Sequence, residues 1–270
     1  MILSERHKYL ETNIPSVNKE KKEIYNEINK IKNSKDFVGT FCIICKSNKF
    51  NIINEIDRYG FFYPTGICKN CGMVQQSIYY TNSFLEKFYS KYYNLFYGHF
   101  KNPEERFNSQ YLGAKKSYQF VKNYIDHKKT KILEIGCGAG GILKYYQDKG
   151  FYVKGLDYDN SQLNYGISKN LNLINNNYYN STEKFDLIIL SHVLEHMSEP
   201  EKEIDKIKQY LSKDGIVYIE VPSIHSIKNL NYNYNIRNFF HIAHFLHFSK
   251  MTFINFMKIN NLKIIKINDD

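Results

Sequence analysis

Lys131-Ile-Leu-Glu-Ile-Gly-Cys-Gly-Ala-Gly-Gly-Ile-Leu143 is the stretch on which the fold turns. Lys131 to Ile135 reads as a short buried strand with Glu134 near its end. Gly136, Gly138 and Gly140 follow at alternate positions before Ile142 and Leu143 open a helix. Glycines let the backbone turn sharply after a strand and put no Cβ between the main chain and a molecule lying across it, while a helix N-terminus supplies free N–H groups. The pattern therefore predicts a ligand loop. Phe151 to Asp159 reads as a second strand, with Asp157 at its tip seventeen residues after Gly140.

A carboxylate at the tip of the second strand is where Rossmann-like domains hold the ribose hydroxyls of a nucleoside, so an adenosine-containing ligand is expected. Glu134-Ile-Gly136-Cys-Gly138-Ala-Gly140 resembles the first motif of class I S-adenosylmethionine-dependent methyltransferases. In that family the early acid reaches the methionine end of the cofactor. The resemblance thus implies a cofactor set of Glu134, Gly136, Gly138, Gly140, Asp157 and its neighbour Tyr158. Loops that bind NAD need no acid before the first glycine. The third strand is placed near residues 171–177, where Leu-Asn-Leu-Ile-Asn-Asn-Asn offers asparagine in place of the family's usual acid, leaving the adenine contact unassigned.

Lys184 to Met197, KFDLIILSHVLEHM, is similar to the family's fourth strand and the turn after it; Leu211 to Pro222 then predicts an Asp-Gly turn and a fifth strand. The resemblance places Ser191 and His192 at the methionine end and His196 one turn later, facing the pocket. His192-Val-Leu-Glu195-His196 also spells HxxEH, the zinc signature of inverted-motif peptidases. That reading needs a helix and a further downstream glutamate; His192 directly follows an apolar strand, and Glu220 is the last glutamate of the chain.

Two CxxC pairs, Cys42/Cys45 and Cys68/Cys71, have the spacing of two metal knuckles, and together make the four-thiolate cage that Zn²⁺ prefers. With all four positions filled by sulfur, the zinc is structural. Short strands between the pairs suggest a zinc ribbon. Residues 1–36 carry only a helical pattern with Ile24, Ile28 and Ile31 on one face, and 79–128 predict an aromatic linker and cap helices beginning at Pro103.

The fold class expected is α/β. It consists of a Rossmann-like, mostly parallel sheet with helices on both faces over 129–270, a zinc module over 37–78, the aromatic cap over 79–128 and an N-terminal helical segment over 1–36. At 270 residues and 43% hydrophobic content the chain can bury such a core. No apolar run approaches the roughly 20 residues of a membrane span, and the first ten residues lack a secretory leader's apolar stretch, so a cytoplasmic protein is expected. The net charge of +10 is scattered along the chain. It favours an anionic acceptor over a nucleic-acid stripe, and residues 37–72 carry only Lys46, Lys49, Arg58 and Lys69 against Glu55 and Asp57.

Phe240-His241-Ile-Ala-His244-Phe-Leu-His247-Phe-Ser249 is similar to the His-rich loop of bacterial deoxysugar C-methyltransferases, which share the N-terminal CxxC…CxxC module. The resemblance makes His244 the catalytic base, with His196 as an alternative or orienting group. Ala243 stands where those enzymes carry Glu, which weakens the case for enolate-forming C-methylation and favours an oxygen acceptor on a sugar, nucleotide-sugar or capsule/polysaccharide precursor. Sugar C-methylation and tRNA or rRNA methylation are the alternatives. Leu262 to Asn268 is the expected sixth strand, and no seventh follows, so another segment, a second copy or a partner chain is expected to close the sheet edge.

Overall fold

The computed structural model describes residues 37–58, 62–81, 83–84, 88, 100, 102–126, 129–176, 180–228 and 239–268. The expected helix over 1–36 and most of the aromatic stretch before Phe100 lie outside the described residues. In chain order the elements begin with β1 (Phe37–Gly39), β2 (Phe50–Ile56), β3 (Phe62–Cys68), β4 (Val74–Gln76), β5 (Ile78–Tyr80) and α1 (Pro103–Val121). There follow β6 (Lys131–Ile135), α2 (Gly141–Gln147), β7 (Tyr152–Asp157), α3 (Asn160–Ser168), β8 (Leu173–Asn175), β9 (Phe185–Ser191) and α4 (Pro200–Tyr210). The chain then forms β10 (Leu211–Glu220), β11 (Leu246–His247) and α5 (Lys250–Ile259). Two compact units share these elements, one built from Phe100–Leu194 with Glu199–Val221, the other from the preceding residues with Glu195–Ser198 and everything from Pro222 onward.

The unit around the glycine loop holds a five-stranded, all-parallel sheet in the order β10-β9-β6-β7-β8, a Rossmann-like arrangement. A parallel sheet must be covered on both faces, so its central strands are continuously apolar. Leu187, Ile188, Ile189 and Leu190 of β9 are all fully buried. One alternate set, Ile132, Leu187 and Ile189, packs with Phe107, Ala114 and Val121 of α1, Leu143 and Tyr146 of α2 and Leu163 of α3. Each such side chain contributes roughly 2 kcal/mol by leaving water.

Local signals set the ends of α1. Asn102 accepts the Glu105 N–H at 2.9 Å, Pro103 opens the first turn, and Glu104 and Glu105 lie near its positive end. The helix lies on α2 as a layer of the α/β unit, with Tyr118 edge-on to Tyr145 and Tyr146 and the Ser117 hydroxyl donating to Ala114 O. The Asp214-Gly215 pair falls where the β10–β9 register slips between Leu211 and Ile216. It is a bulge inside a strand, where the sequence suggested a turn before one.

The other unit is antiparallel. Its four-stranded sheet runs β11-β4-β3-β2, and β1 pairs with β5 alongside. Ser249 and Thr252 form a reciprocal capping box that starts α5. The expected sixth strand at 262–268 is absent. Asn261 (φ +57°) ends α5, Leu262 N–H returns to Met257 O at 3.0 Å, and the segment beyond finds no ladder partner among the described residues. No described helix is long and apolar enough to cross a membrane.

Candidate functional site

In the parallel sheet the chain order reverses between β6 and β9, and the candidate residues lie at the carboxyl ends of β6, β7 and β9 around that point, where open α/β sheets take ligands. Gly136 and Cys137 both donate to Leu156 O, at 2.7 and 3.0 Å, and Gly140 donates back to Cys137 O at 2.9 Å, so the loop is a closed hydrogen-bonded turn. Gly138 sits at φ +55°, and a Cβ there would lie 2.8 Å from Nε of Arg106. Gly136, at φ +73°, has Val193 packed against the same vacancy, 2.5 Å from where its Cβ would be. Substitution at either would meet both backbone strain and a steric clash.

Asp157 braces this loop. Its Oδ2 accepts the Gly138 N–H at 2.7 Å and its Oδ1 the Asp159 N–H at 2.9 Å, while Asp159 caps α3. Glu134 is 1% exposed, and its Oε2 has no hydrogen-bond partner among the described residues. Burial first, and then the Asp157 charge, push this carboxyl well above the ordinary glutamate range, with Arg106 pulling the other way. Arg106 and Gln110, one helical turn apart on α1, escaped the sequence reading. Gln110 donates to Cys137 O at 3.0 Å and accepts from Gly141 N–H at 3.3 Å. Their only sequence signal is a polar i, i+4 pair interrupting the aromatic face of a helix.

The remaining cofactor candidates differ in how they are held. Ser191 donates to Glu220 Oε2 at 3.2 Å, and Glu220 also receives the Tyr218 hydroxyl and an ion pair from Lys116. His192, in the left-handed region at φ +56°, donates its N–H to Glu220 O. The HxxEH segment is thus a strand end followed by a short 3₁₀ turn over Leu194–His196, which removes the helix that the peptidase reading needs. Tyr158 is 63% exposed. Asn175, at the end of β8, donates to Tyr158 O and to Asn160 Oδ1.

In the antiparallel unit the four cysteines converge: Sγ of Cys42 lies 3.3 Å from that of Cys71, Cys45 lies 3.4 Å from Cys68, and all four sulfurs fall within 4.8 Å of one another. The two knuckles share one geometry. In each, the residue after the second cysteine is left-handed, Lys46 at φ +59° and Gly72 at +76°, and donates its N–H to the carbonyl of the first. Burial raises the Cys68 thiol, but N–H groups of Cys71 and Asn70 and the neighbouring sulfurs outweigh it and bring it down to about 7. Such a cluster fits a tetrahedral thiolate ion site.

The same unit gathers the histidines. His196 Nδ1 donates to Ala243 O at 2.8 Å, Phe245 N–H donates to Glu195 O, and His244 Nε2 lies 3.9 Å from Glu195 Oε1. The rings of His196 and His241 are 4.6 and 3.6 Å from that of His244. His247 is committed elsewhere: its Nε2 is 3.0 Å from the Tyr63 hydroxyl, and burial brings it down to about 3. Burial, helped by His241 and His196, also holds His244 well below the ordinary histidine range. The sequence reading expected His244 to lack a carboxylate neighbour because residue 243 is Ala; Glu195 supplies one from a distant part of the chain.

The sequence pattern of the methyltransferase domain family matches residues 94–267. The chain is 31% identical over 103 residues to the ubiquinone biosynthesis O-methyltransferase of Glaesserella parasuis, covering 33% of this chain and 44% of that protein. It is 25% identical over 125 residues to a ubiquinone/menaquinone biosynthesis C-methyltransferase of Campylobacter jejuni, covering 42% and 53%. The plantazolicin methyltransferase BpumL, solved with SAH, aligns with a TM-score of 0.46 at 18% identity over 66% of this chain and 70% of that one. The chain spans only about half the length of the curated relatives it matches. The family match takes in more than half of the sequence, including the glycine loop, Asp157 and the β9 segment, and the chain belongs to the methyltransferase domain family.

Proposed function

We propose that the protein transfers the methyl group of S-adenosylmethionine to an oxygen of a sugar, nucleotide-sugar or capsule/polysaccharide precursor. One observation carries the cofactor: Glu134 holds a buried carboxyl oxygen without a hydrogen-bond partner among the described residues, beside a loop whose glycines leave the backbone bare. An ammonium group is the natural donor to such an acceptor. Glu134 would therefore hold the methionine end, with Arg106 suited to the accompanying carboxylate and Ser191 and His192 bordering it. Gly136, Gly138 and Gly140 would line the cofactor, and Asp157 and Tyr158 would take the ribose side.

The bound cofactor supplies a methyl group already made electrophilic by its sulfonium. What remains for the chain is to align the acceptor and remove a proton. His244 is assigned the proton: burial keeps its imidazole neutral, so a lone pair is available near pH 7. His196 orients it or replaces it. The carboxylate of Glu195 beside His244 favours one second reading, transfer to a carbon next to a carbonyl, because a negative neighbour strengthens an imidazole base. The four cysteines are assigned a structural Zn²⁺, and the net charge of +10 suits an anionic acceptor.

Calorimetric titration of S-adenosylmethionine and S-adenosylhomocysteine into the full chain tests the cofactor. Micromolar binding is expected, weakened more than about tenfold, or about 1.4 kcal/mol, by Asp157→Ala. Absence of binding by a folded, zinc-loaded protein overturns the assignment.

A further inference from the structure

We propose that Glu195, His196 and His244 form a second divalent-cation site, chemically unlike the four-cysteine cage. One ligand atom from each of the three lies within 4.8 Å of the others, and all three residues belong to the same compact unit. Two imidazoles and a carboxylate form a mixed N/O set of borderline hardness, suited to Zn²⁺, Co²⁺, Fe²⁺ or Mn²⁺, whereas four thiolates select soft ions.

The geometry is prepared for such an ion in two respects. A backbone carbonyl can only accept, so Ala243 O fixes the proton of His196 on Nδ1 and makes Nε2 the ring nitrogen that carries the lone pair. Carbonyl-oriented imidazoles of this kind are the usual outer support of metal-bound histidines. The 3₁₀ turn that carries Glu195 and His196 is moreover tied to the His244 segment at two backbone positions, Glu195 O to Phe245 N–H and His196 Nδ1 to Ala243 O. Glu195 is 1% exposed, and a bound cation would offset the cost of keeping its carboxylate out of water. Metal–ligand bonds of about 2.0–2.1 Å at tetrahedral angles put donors about 3.4 Å apart, so the 3.9 Å between His244 Nε2 and Glu195 Oε1 needs to close by only about half an ångström.

Among the described residues three protein ligands converge, which leaves a coordination position open, the hallmark of a site that works on a substrate or water. Here the inference rests on the proposed methyl transfer: the ion would take the acceptor oxygen and lower its pKa so that its proton passes to water. The oxygen would then form the O–CH₃ bond as the S–CH₃ bond breaks and S-adenosylhomocysteine leaves, and His244 would act as ligand in place of direct base. Cation binding itself does not depend on that reading.

The test uses the full zinc-loaded chain titrated with Co²⁺. One further equivalent is expected, with visible cobalt bands and without the thiolate-to-metal band that exchange into the cysteine cage would produce. Glu195→Gln and His244→Ala are each expected to weaken this binding at least about tenfold while zinc content stays at one equivalent. No second equivalent in the wild type, a thiolate band, or unchanged affinity in both variants overturns the proposal. S-adenosylmethionine titration of the same samples separates the two readings. Cobalt binding that depends on Glu195 and His244 without cofactor binding leaves the ion site standing and removes the methyl transfer; the converse removes only the ion site.

Discussion

Glu134 is a side chain held at a cost to the fold. Its carboxyl is raised by burial and by Asp157, so in the folded state it keeps its proton to higher pH than in the unfolded chain. Below the unfolded value near 4.5 both states are protonated and nothing is lost. As pH rises, the unfolded state ionises first, and stability falls by roughly 1.4 kcal/mol per pH unit until the folded carboxyl also titrates. Glu134→Gln removes this dependence. Without cofactor, its melting temperature is expected to exceed that of the wild type at pH 7 and to converge with it near pH 4, while S-adenosylmethionine affinity falls. A variant less stable than the wild type at pH 7 counts against this account. The contrast between Glu134 and Arg106 shows what sequence discloses at this scale. Glu134 was legible because strand, acid and glycines are contiguous; Arg106 reaches the loop only because α1 docks on α2, a tertiary event that its own neighbours do not announce.

At the scale of elements, the cysteine cage and the histidine cluster share a strand. β4 begins three residues after Cys71, and Cys68 N–H bonds Met73 O. The side chain of Gln75 in β4 ties the first knuckle by accepting from Ile43 N–H and donating to Phe41 O and the Thr40 hydroxyl. The other edge of β4 pairs with β11, and Gln76 N–H bonds Phe245 O, next to His244. Removing the proposed zinc should therefore disturb a histidine outside the cysteine cluster. Chelation is expected to raise amide exchange at 244–247 and to lower methyl transfer, with recovery of both on returning Zn²⁺; unchanged exchange there would show that the strand does not transmit the loss. The CxxC pairs were readable from spacing alone. The pairing of β4 with a two-residue strand far along the chain was not, since so short a segment carries no period. The absent sixth strand is the reverse case: 262–268 is rich in isoleucine and reads as a strand, yet no strand among the described residues pairs with it.

For the whole molecule, the net charge of +10 poses the question of nucleic acid against a small anionic acceptor. A protein gripping an RNA backbone loses affinity steeply as salt rises, in proportion to the phosphates it neutralises. Between about 50 and 200 mM salt the expected outcome is a change of less than about tenfold in retention of a generic RNA, where six to ten phosphate contacts would give about 10³–10⁵. A steep slope would move the acceptor class to RNA. The parallel sheet and its loop were legible because their signals are local. The division of the chain between units was less so, because it cuts inside the HxxEH segment, between Leu194 and Glu195.

That cut has a historical consequence. The backbone passes between the two compact units after His99, Leu194, Ser198 and Val221, so neither unit is a continuous stretch of sequence. A gene-level exchange that moved the cysteine-bearing unit intact would have to carry three separated segments, one of them the four residues Glu195–Ser198. The histidine loop and the Glu195-His196 pair lie in two of those segments, separated along the chain by Glu199–Val221 of the unit that carries the cofactor loop. Diversification of this chain towards new acceptors is expected to proceed by substitution within these segments, since swapping a ready-made cassette would break the thread.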